Sequence, residues 1–307
     1  MTARRPVLLC ATWLGAVSLL LGTQALAAED LLGARSLGMG ATLRANPSAD
    51  SAVLLNPAGI SLGKAYNLNG MYSYRGADSA SLLSASIVDS YTAKVAAGLF
   101  YNFIHASPAK TIALASGPYS LSSTLNTHEA GLALAYPLGD VFYVGLSGKY
   151  VYRSVDQPAD APASGKIDSL NGFTMDVGGI LRPWPSLYLA VTGQNLVGLD
   201  KTYYPRLMGL GIAYSLGTRF NAEFDSVLNF STADKVKASY HVGGELFLGG
   251  SYAIRAGYMY DTLRTANYVT GGLGLVSPKI AVDFGLRQMV SGGADTTIAF
   301  SIRVFLN

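Results

Sequence analysis

The chain has 307 residues, only 13% of them charged, and its 22 basic residues nearly balance 19 acidic ones. A soluble domain of this size is usually nearer a quarter charged, and near-neutrality gives no electrostatic hold on nucleic acid or another polyanion. Cys10 is the only cysteine and lies in the targeting segment described next, so the exported chain is expected to hold no disulfide, thiolate metal site or cysteine nucleophile.

The N-terminus opens with Arg4 and Arg5, continues with an apolar run from Pro6 to Leu21, and reaches Ala25-Leu26-Ala27 before Ala28-Glu29-Asp30. This pattern predicts a signal peptide over residues 1–27, cut after Ala27. A retained membrane anchor is the competing reading, but the apolar core is short for a span. Removing Arg4 and Arg5 leaves 20 basic against 19 acidic residues. The remaining chain is hydrophobic on average without a continuous run of about 20 apolar residues. Hydrophobicity spread over alternating positions in an exported chain points to a membrane β-barrel.

Residues 28–63 are expected to form a compact plug inside that barrel. The stretch Leu31–Ser61 does not alternate like the segments after it. It carries Gly33, Gly38 and Gly40, a helical run from Ala49 to Leu55, and the turn signal Asn56-Pro57-Ala58-Gly59. Pro57 disfavours helix at Asn56 and opens a new turn at Ala58. Gly38-Met39-Gly40 lacks the third glycine, preceding strand and Lys-Ser/Thr of a phosphate loop.

Residues 64–307 are expected to build the barrel. Period-two alternation predicts fourteen strands, near 65–74, 79–89, 91–104, 126–137, 141–153, 170–182, 185–196, 205–215, 218–229, 235–247, 250–261, 267–276, 279–289 and 296–306. Their lengths suit tilted membrane strands of about 9–11 residues. Short connections after the even strands alternate with longer ones, notably 105–125 and 154–169. Membrane barrels show this asymmetry between short periplasmic turns and longer outer loops. A soluble β-sandwich does not require strand and loop lengths to agree in this way.

Face assignments follow from the alternation. Ile298, Phe300, Ile302, Val304 and Leu306 form a lipid face, opposite Thr297, Ala299, Ser301 and Arg303. Arg303 must look inward, since a cation on the lipid face costs about 2–4 kcal/mol at mid-depth. Outward tyrosines near strand ends, such as Tyr72, Tyr74, Tyr150, Tyr152 and Tyr258, suit an aromatic girdle. Because lipid tolerates no open sheet edge, the first strand must pair with the last.

The inward positions divide into two walls. Strands three to eight present small groups such as Gly98, Gly145, Gly178 and Gly211, interrupted by Lys94, Lys149 and Asp176. Strands nine to fourteen present Arg219, Glu223, Asp225, Glu245, Arg255, Asp283, Arg287 and Arg303, with Asp283 close to Arg303 across a hairpin. This set reads either as an internal salt-bridge lattice holding the plug or as a polar solute path. The plug is expected against the smooth wall. Loop 105–125 is apolar enough to fold over the barrel mouth, touch a hydrophobic ligand or pack on neighbouring loops. His105, His128 and His241 are too dispersed for metal-ligand spacing, and no G-x-S-x-G elbow is present. An enzyme is not expected, and no metal or other cofactor is called for.

The stretch Gly33-Ala34-Arg35-Ser36-Leu37-Gly38-Met39-Gly40-Ala41, followed by Asp50, Ala52 and Asn56-Pro57-Ala58-Gly59-Ile60, resembles the N-terminal hatch of the FadL/PorV group of outer-membrane proteins. Phrases such as Gly193-Gln194-Asn195-Leu196, Val242-Gly243-Gly244-Glu245 and Ile254-Arg255-Ala256-Gly257-Tyr258 extend the resemblance over the whole exported chain. It implies a fourteen-strand barrel in the bacterial outer membrane, plugged by the hatch, with Gly38, Gly40, Asn56, Pro57, Ala58 and Gly59 as hatch or gating residues. FadL-like members carry hydrophobic molecules such as fatty acids and release them through a wall gap near a kinked strand. PorV-like members instead hold secreted proteins. The expected function is passive transport of small hydrophobic, fatty-acid-like compounds, with a non-transporting secretion or surface-attachment scaffold as the alternative. The implied partners are outer-membrane lipid, the barrel-assembly machinery, and either a hydrophobic small molecule or a secreted protein.

Overall fold

The computed structural model describes residues 32–114, 117–162 and 166–306. The expected signal peptide and residues 28–31 lie outside this range.

Among the described residues sixteen strands follow the N-terminal segment: β1 Tyr66–Arg75, β2 Ala80–Asp89, β3 Ala96–Ala106, β4 Ala109–Leu114, β5 Gly117–Ser122, β6 Thr124–Leu138, β7 Phe142–Asp156, β8 Leu170–Trp184, β9 Leu187–Gln194, β10 Leu207–Ser215, β11 Phe220–Asn229, β12 Lys237–Leu248, β13 Tyr252–Asp261, β14 Ala266–Val276, β15 Ile280–Ser291 and β16 Thr296–Phe305. Fourteen of them close an antiparallel barrel. β1 pairs with β16 from Asn67 opposite Phe305 to Arg75 opposite Thr297, so no sheet edge faces lipid. β4 and β5 form a separate hairpin in the connection between β3 and β6. The alternation analysis treats that connection as a loop; its backbone is instead satisfied by pairing with itself.

The barrel's exterior is apolar all round. Leu99, Leu132, Phe173, Val191, Ile212, Phe224, Val242, Ile254, Leu273, Phe284 and Phe300 are exposed, while their strand neighbours are turned inward. A continuous belt of this kind is stable against hydrocarbon and unstable in water. Tyr72, Tyr74, Tyr101, Tyr150, Tyr152, Tyr240 and Tyr258 ring it toward one end, and Trp184 and Tyr252 toward the other. The second end has the short connections, including tight turns at Gly139, Gly217 and Gly249, all at positive φ. In bacterial membrane barrels short turns of this kind face the periplasm, and the end with the longer connections is termed the outer end.

The lumen is filled by the chain's own N-terminal segment. It contains helix α1 Ala34–Gly38, helix α2 Ala49–Leu55 and a 3₁₀ turn Pro57–Ser61. Apolar plug residues pack on inward wall residues in several clusters. Met39, Leu43 and Leu55 meet Met259, Ala266 and Tyr268. Ala52, Val53 and Ile60 meet Val88, Phe100 and Ala133. Ala45 and Ala58 meet Tyr143, Ile180 and Ala213. The core of this protein is therefore the contact between plug and wall.

Candidate functional site

The plug touches both walls. Gly38 and Gly40 lie against β12–β15, the charged wall, instead of the smooth one. A Cβ on Gly38 would sit 3.0 Å from Gly272 Cα, and one on Gly40 would overlap Val242 O. Reciprocally, a Cβ on Gly243, Gly257 or Gly285 would overlap plug backbone at Met39, Gly40 or Ala34. The smooth wall receives the other end of the plug: Cβ atoms on Gly145 and Gly178 would overlap Ala58 and Asn56. Gly243, Gly257, Gly285 and Gly145 are thus matched to plug main chain, and Gly178 to the Asn56 side chain, so glycine on both walls lets the plug approach closely.

Between these contacts the plug backbone turns sharply. Gly40, Ala41 and Leu43 all have positive φ, 72°, 63° and 92°. The turn is held by Ser36 Oγ donating to Thr42 O at 2.5 Å and Thr42 Oγ1 donating to Met39 O at 2.8 Å. It aims successive backbone N–H groups at two wall carboxylates. Glu223 accepts from Leu43 N at 3.1 Å, Ala45 N at 2.6 Å and Asn46 N at 3.3 Å. Asp225 accepts from Arg44 N and from Arg44 Nη1, each at 3.3 Å. Convergent main-chain N–H groups of this kind make an anion nest, and here the anion belongs to the barrel.

Asn56 joins the two halves of the plug. Its Nδ2 donates to Arg44 O at 2.7 Å, and its Oδ1 accepts from Ala58 N at 3.2 Å. Its backbone is extended, φ −153° and ψ 100°, as a residue before proline requires. Gly59 backs onto the Pro47 ring, which a Cβ would overlap. Asn56, Pro57, Ala58 and Gly59 therefore form one buried turn.

The charged wall is an ion-pair chain anchored in the plug. Arg35 of α1 meets Glu245 at 2.9 Å, Glu245 meets Arg255 at 2.6 Å, and Arg255 meets Asp283 at 2.7 Å. Arg303 lies 3.9 Å from Asp283 and donates to plug Ser48 Oγ at 3.3 Å. Arg287 stands apart, beside Asp295 and over the Tyr268 ring. Arg219 does not join the lattice. It lies exposed in the short turn before β11, because the strand begins one residue later, at Phe220. Lys94 is likewise in an exposed turn, over the Tyr136 ring.

The outer half of the smooth wall is covered from above. The connection 195–206 folds inward, and Tyr204 is buried with its hydroxyl donating to Glu129 at 2.6 Å. Burial and the Glu129 carboxylate together hold the Tyr204 phenol well above its ordinary pKa, so it remains a donor. Asn102 Nδ2 donates to the other Glu129 oxygen at 2.8 Å. Arg153 pairs with Asp200 at 2.8 Å and lies under the Tyr203 ring. Sequence reasoning missed Arg35, Arg44, Glu129 and Arg153. Glu129 and Arg153 share strand parity with the inward Gly131 and Lys149, so alternation alone could have found them.

On the charged-wall side an outer cavity of about 60 Å³ remains above the plug, bounded by Leu32, Ala41 and the outer ends of β10–β13. The side wall is closed at β3. β3 pairs without interruption to β2 and β6, and a Cβ on Gly98 would meet plug Val53 at 3.0 Å. Irregular pairing occurs instead in β8–β9, between Leu181 and Trp184, and in β14–β15, between Asn267 and Tyr268.

This architecture has solved counterparts. A toluene transporter of Ralstonia pickettii, TbuX, superposes with a TM-score of 0.70 at 13% identity, covering 91% of this chain and 100% of that one. The Pseudomonas putida toluene transporter TodX gives 0.66 at 14% identity, covering 92% and 99%. A FadL homologue of Pseudomonas aeruginosa gives 0.62 at 12% identity, covering 90% and 98%. The fold is the FadL-type plugged barrel. No family model and no curated protein sequence matches the chain.

Proposed function

We propose that this protein is a passive outer-membrane channel for small hydrophobic compounds, with the segment around Gly38, Gly40 and Asn56–Gly59 as its hatch. The observation that carries the reading is a fourteen-strand barrel whose lumen holds its own N-terminal segment. That arrangement is matched over about nine-tenths of the chain by proteins described as toluene transporters. Two further features support it. Besides its apolar packing, the hatch is held by polar contacts, which water or a polar solute group can replace, and the outer cavity lies directly above it. Diffusion down a gradient needs no nucleotide or ion coupling, and the only work asked of the protein is to replace hydration of the solute.

The test is uptake of labelled toluene and labelled fatty acids by a deletion strain and its complemented parent. Faster entry of at least one class in the complemented strain supports the channel. Equal entry of every compound removes it and favours the scaffold, whose own test is recovery of a secreted protein on the purified barrel.

A further inference from the structure

On the outside of the wall, at the outer end of β3, three polar side chains meet. His105 is on the outward face of the strand, with Tyr101 and Phe103 below it on the same face. Ser107 follows two positions on, just past the strand end. Asn126 of β6 stands directly opposite His105 across the β3–β6 ladder. His105 Nδ1 meets Asn126 Oδ1 at 2.8 Å, and Ser107 Oγ meets His105 Nε2 at 3.5 Å. An amide oxygen only accepts, so Nδ1 carries the proton of the neutral ring and Nε2 faces the serine as an acceptor. Ser107 is half-buried, and its backbone N–H donates to Asp78 O at 3.0 Å, which fixes it where the chain leaves the barrel. Spacing along the chain hides this set, because Asn126 lies 21 positions from His105 and only strand pairing joins them.

A serine hydroxyl on the free nitrogen of a histidine, with the other nitrogen held by a side-chain oxygen, is an arrangement of nucleophile, base and orienter. Without substrate the contact between nucleophile and base is often long and tightens on binding. The surroundings set the substrate. Leu83, opposite Phe103 on β2, is 58% exposed, so the ground below the set is lipid-facing belt. His128 accepts or donates at 2.6 Å with the Tyr101 hydroxyl and lies among the Tyr101, Phe103 and Tyr152 rings, which marks the level of the aromatic girdle. An acyl chain lying along Leu83 and Phe103 brings an ester carbonyl to this level. We infer that the outer rim of β3 carries an acyl-ester hydrolase site, with Ser107 as nucleophile, His105 as general base and acid, and Asn126 as the positioning residue. Ser107 Oγ bonds to the ester carbonyl carbon as its proton passes to His105 Nε2. The bond from that carbon to the alkoxy oxygen then breaks, and the oxygen takes the proton from Nε2 and leaves as an alcohol. Water, giving a proton to Nε2, attacks the acyl-serine; the acyl–Oγ bond breaks, Oγ regains a proton, and a carboxylic acid departs. The site lies outside the barrel and does not rest on the channel reading.

The test uses the purified full-length barrel in detergent, with heat-modifiable gel migration to verify the folding of each variant. A fluorophosphonate probe should label the parent at Ser107, located by peptide mass spectrometry, and His105→Ala should abolish that labelling. Hydrolysis is read on nitrophenyl butyrate and on phosphatidylethanolamine in mixed micelles. Turnover of at least one ester should fall roughly a hundredfold or more in Ser107→Ala and in His105→Ala. Asn126→Ala should lower kcat as well, and Asn126→Asp, which keeps an oxygen on Nδ1, should restore it. Cleavage of the phospholipid places the substrate in the leaflet beside the rim, and cleavage of the soluble ester alone places it in the medium; either supports the site. Cleavage of neither ester, hydrolysis unchanged in folded Ser107→Ala, or Ser107 labelling that is absent in the parent or survives His105→Ala overturns the inference.

Discussion

Replacing Glu223 by alanine tests whether the plug is held by its backbone nest. The carboxylate takes three plug N–H groups, with Oε1 accepting from Leu43 and Ala45 and Oε2 from Asn46. Deleting it orphans all three. A buried donor left unpaired costs about 1–3 kcal/mol, and the lower end applies because water can enter the space left by the side chain. The seated plug should lose about 3 kcal/mol, which raises its displaced population roughly a hundredfold. The barrel wall should survive, since its fourteen-strand ladder does not pass through this side chain. Glu223→Gln, oriented with its oxygen at the Oε1 position, keeps two of the three bonds and should cost about 1 kcal/mol. The assay is single-channel conductance in planar bilayers, with heat-modifiable gel migration to verify folding. Conductance should rise in the order parent, Glu223→Gln, Glu223→Ala. A folded Glu223→Ala barrel with parental conductance would refute the argument that these bonds seat the plug.

Other consequences follow from the same contacts. Gly243→Ala places a methyl on Met39 O and should unseat α1, read as faster proteolysis of the plug, whereas Gly244→Ala, whose Cβ would meet only Asn221 O at 3.8 Å, should be neutral. Arg219→Gln should change unfolding in urea by less than about 0.5 kcal/mol, the range for exposed surface changes; a larger loss would return Arg219 to the lattice. Connection 195–206 should loosen in acid. Burial pushes the Asp200 carboxyl up, but the Arg153 hydrogen bond and the Tyr203 and Thr202 N–H groups bring it below its ordinary value. Its contribution to closure is complete above about pH 4 and is lost as pH falls through the lowered value. Hydrogen exchange at residues 200–204 should therefore be protected evenly above that pH and accelerate below it, beyond the intrinsic pH dependence of exchange; Asp200→Asn should abolish that extra acceleration.

Much of the wall was legible because a barrel strand is a local code. Alternation within one strand decides which side chain meets lipid, so Ile298, Phe300 and Ile302 faced outward on parity alone, and Arg303 inward on cost alone. The Asn56-Pro57 turn was equally local, since proline restricts its predecessor whatever surrounds it. Arg219 was misplaced by a strand boundary: parity says nothing once the residue belongs to the turn. The β4–β5 hairpin escaped because a connecting segment's pairing partner is itself, with no buried face to enforce a pattern.

The register between plug and wall belongs to the tertiary structure. Leu43 lies 180 positions from Glu223, and Arg35 lies 210 from Glu245. Nothing in either stretch specifies its partner until closure of β1 on β16 fixes which inward groups surround the lumen. The sequence by itself determined a β-barrel with an apolar exterior, small inward groups and a non-alternating segment to fill it, because periodicity and solvation act residue by residue. Which wall receives Gly38 and Gly40 and which carboxylates cap the nest at 43–46 were decided only in three dimensions, because those contacts depend on distances that the chain order does not contain.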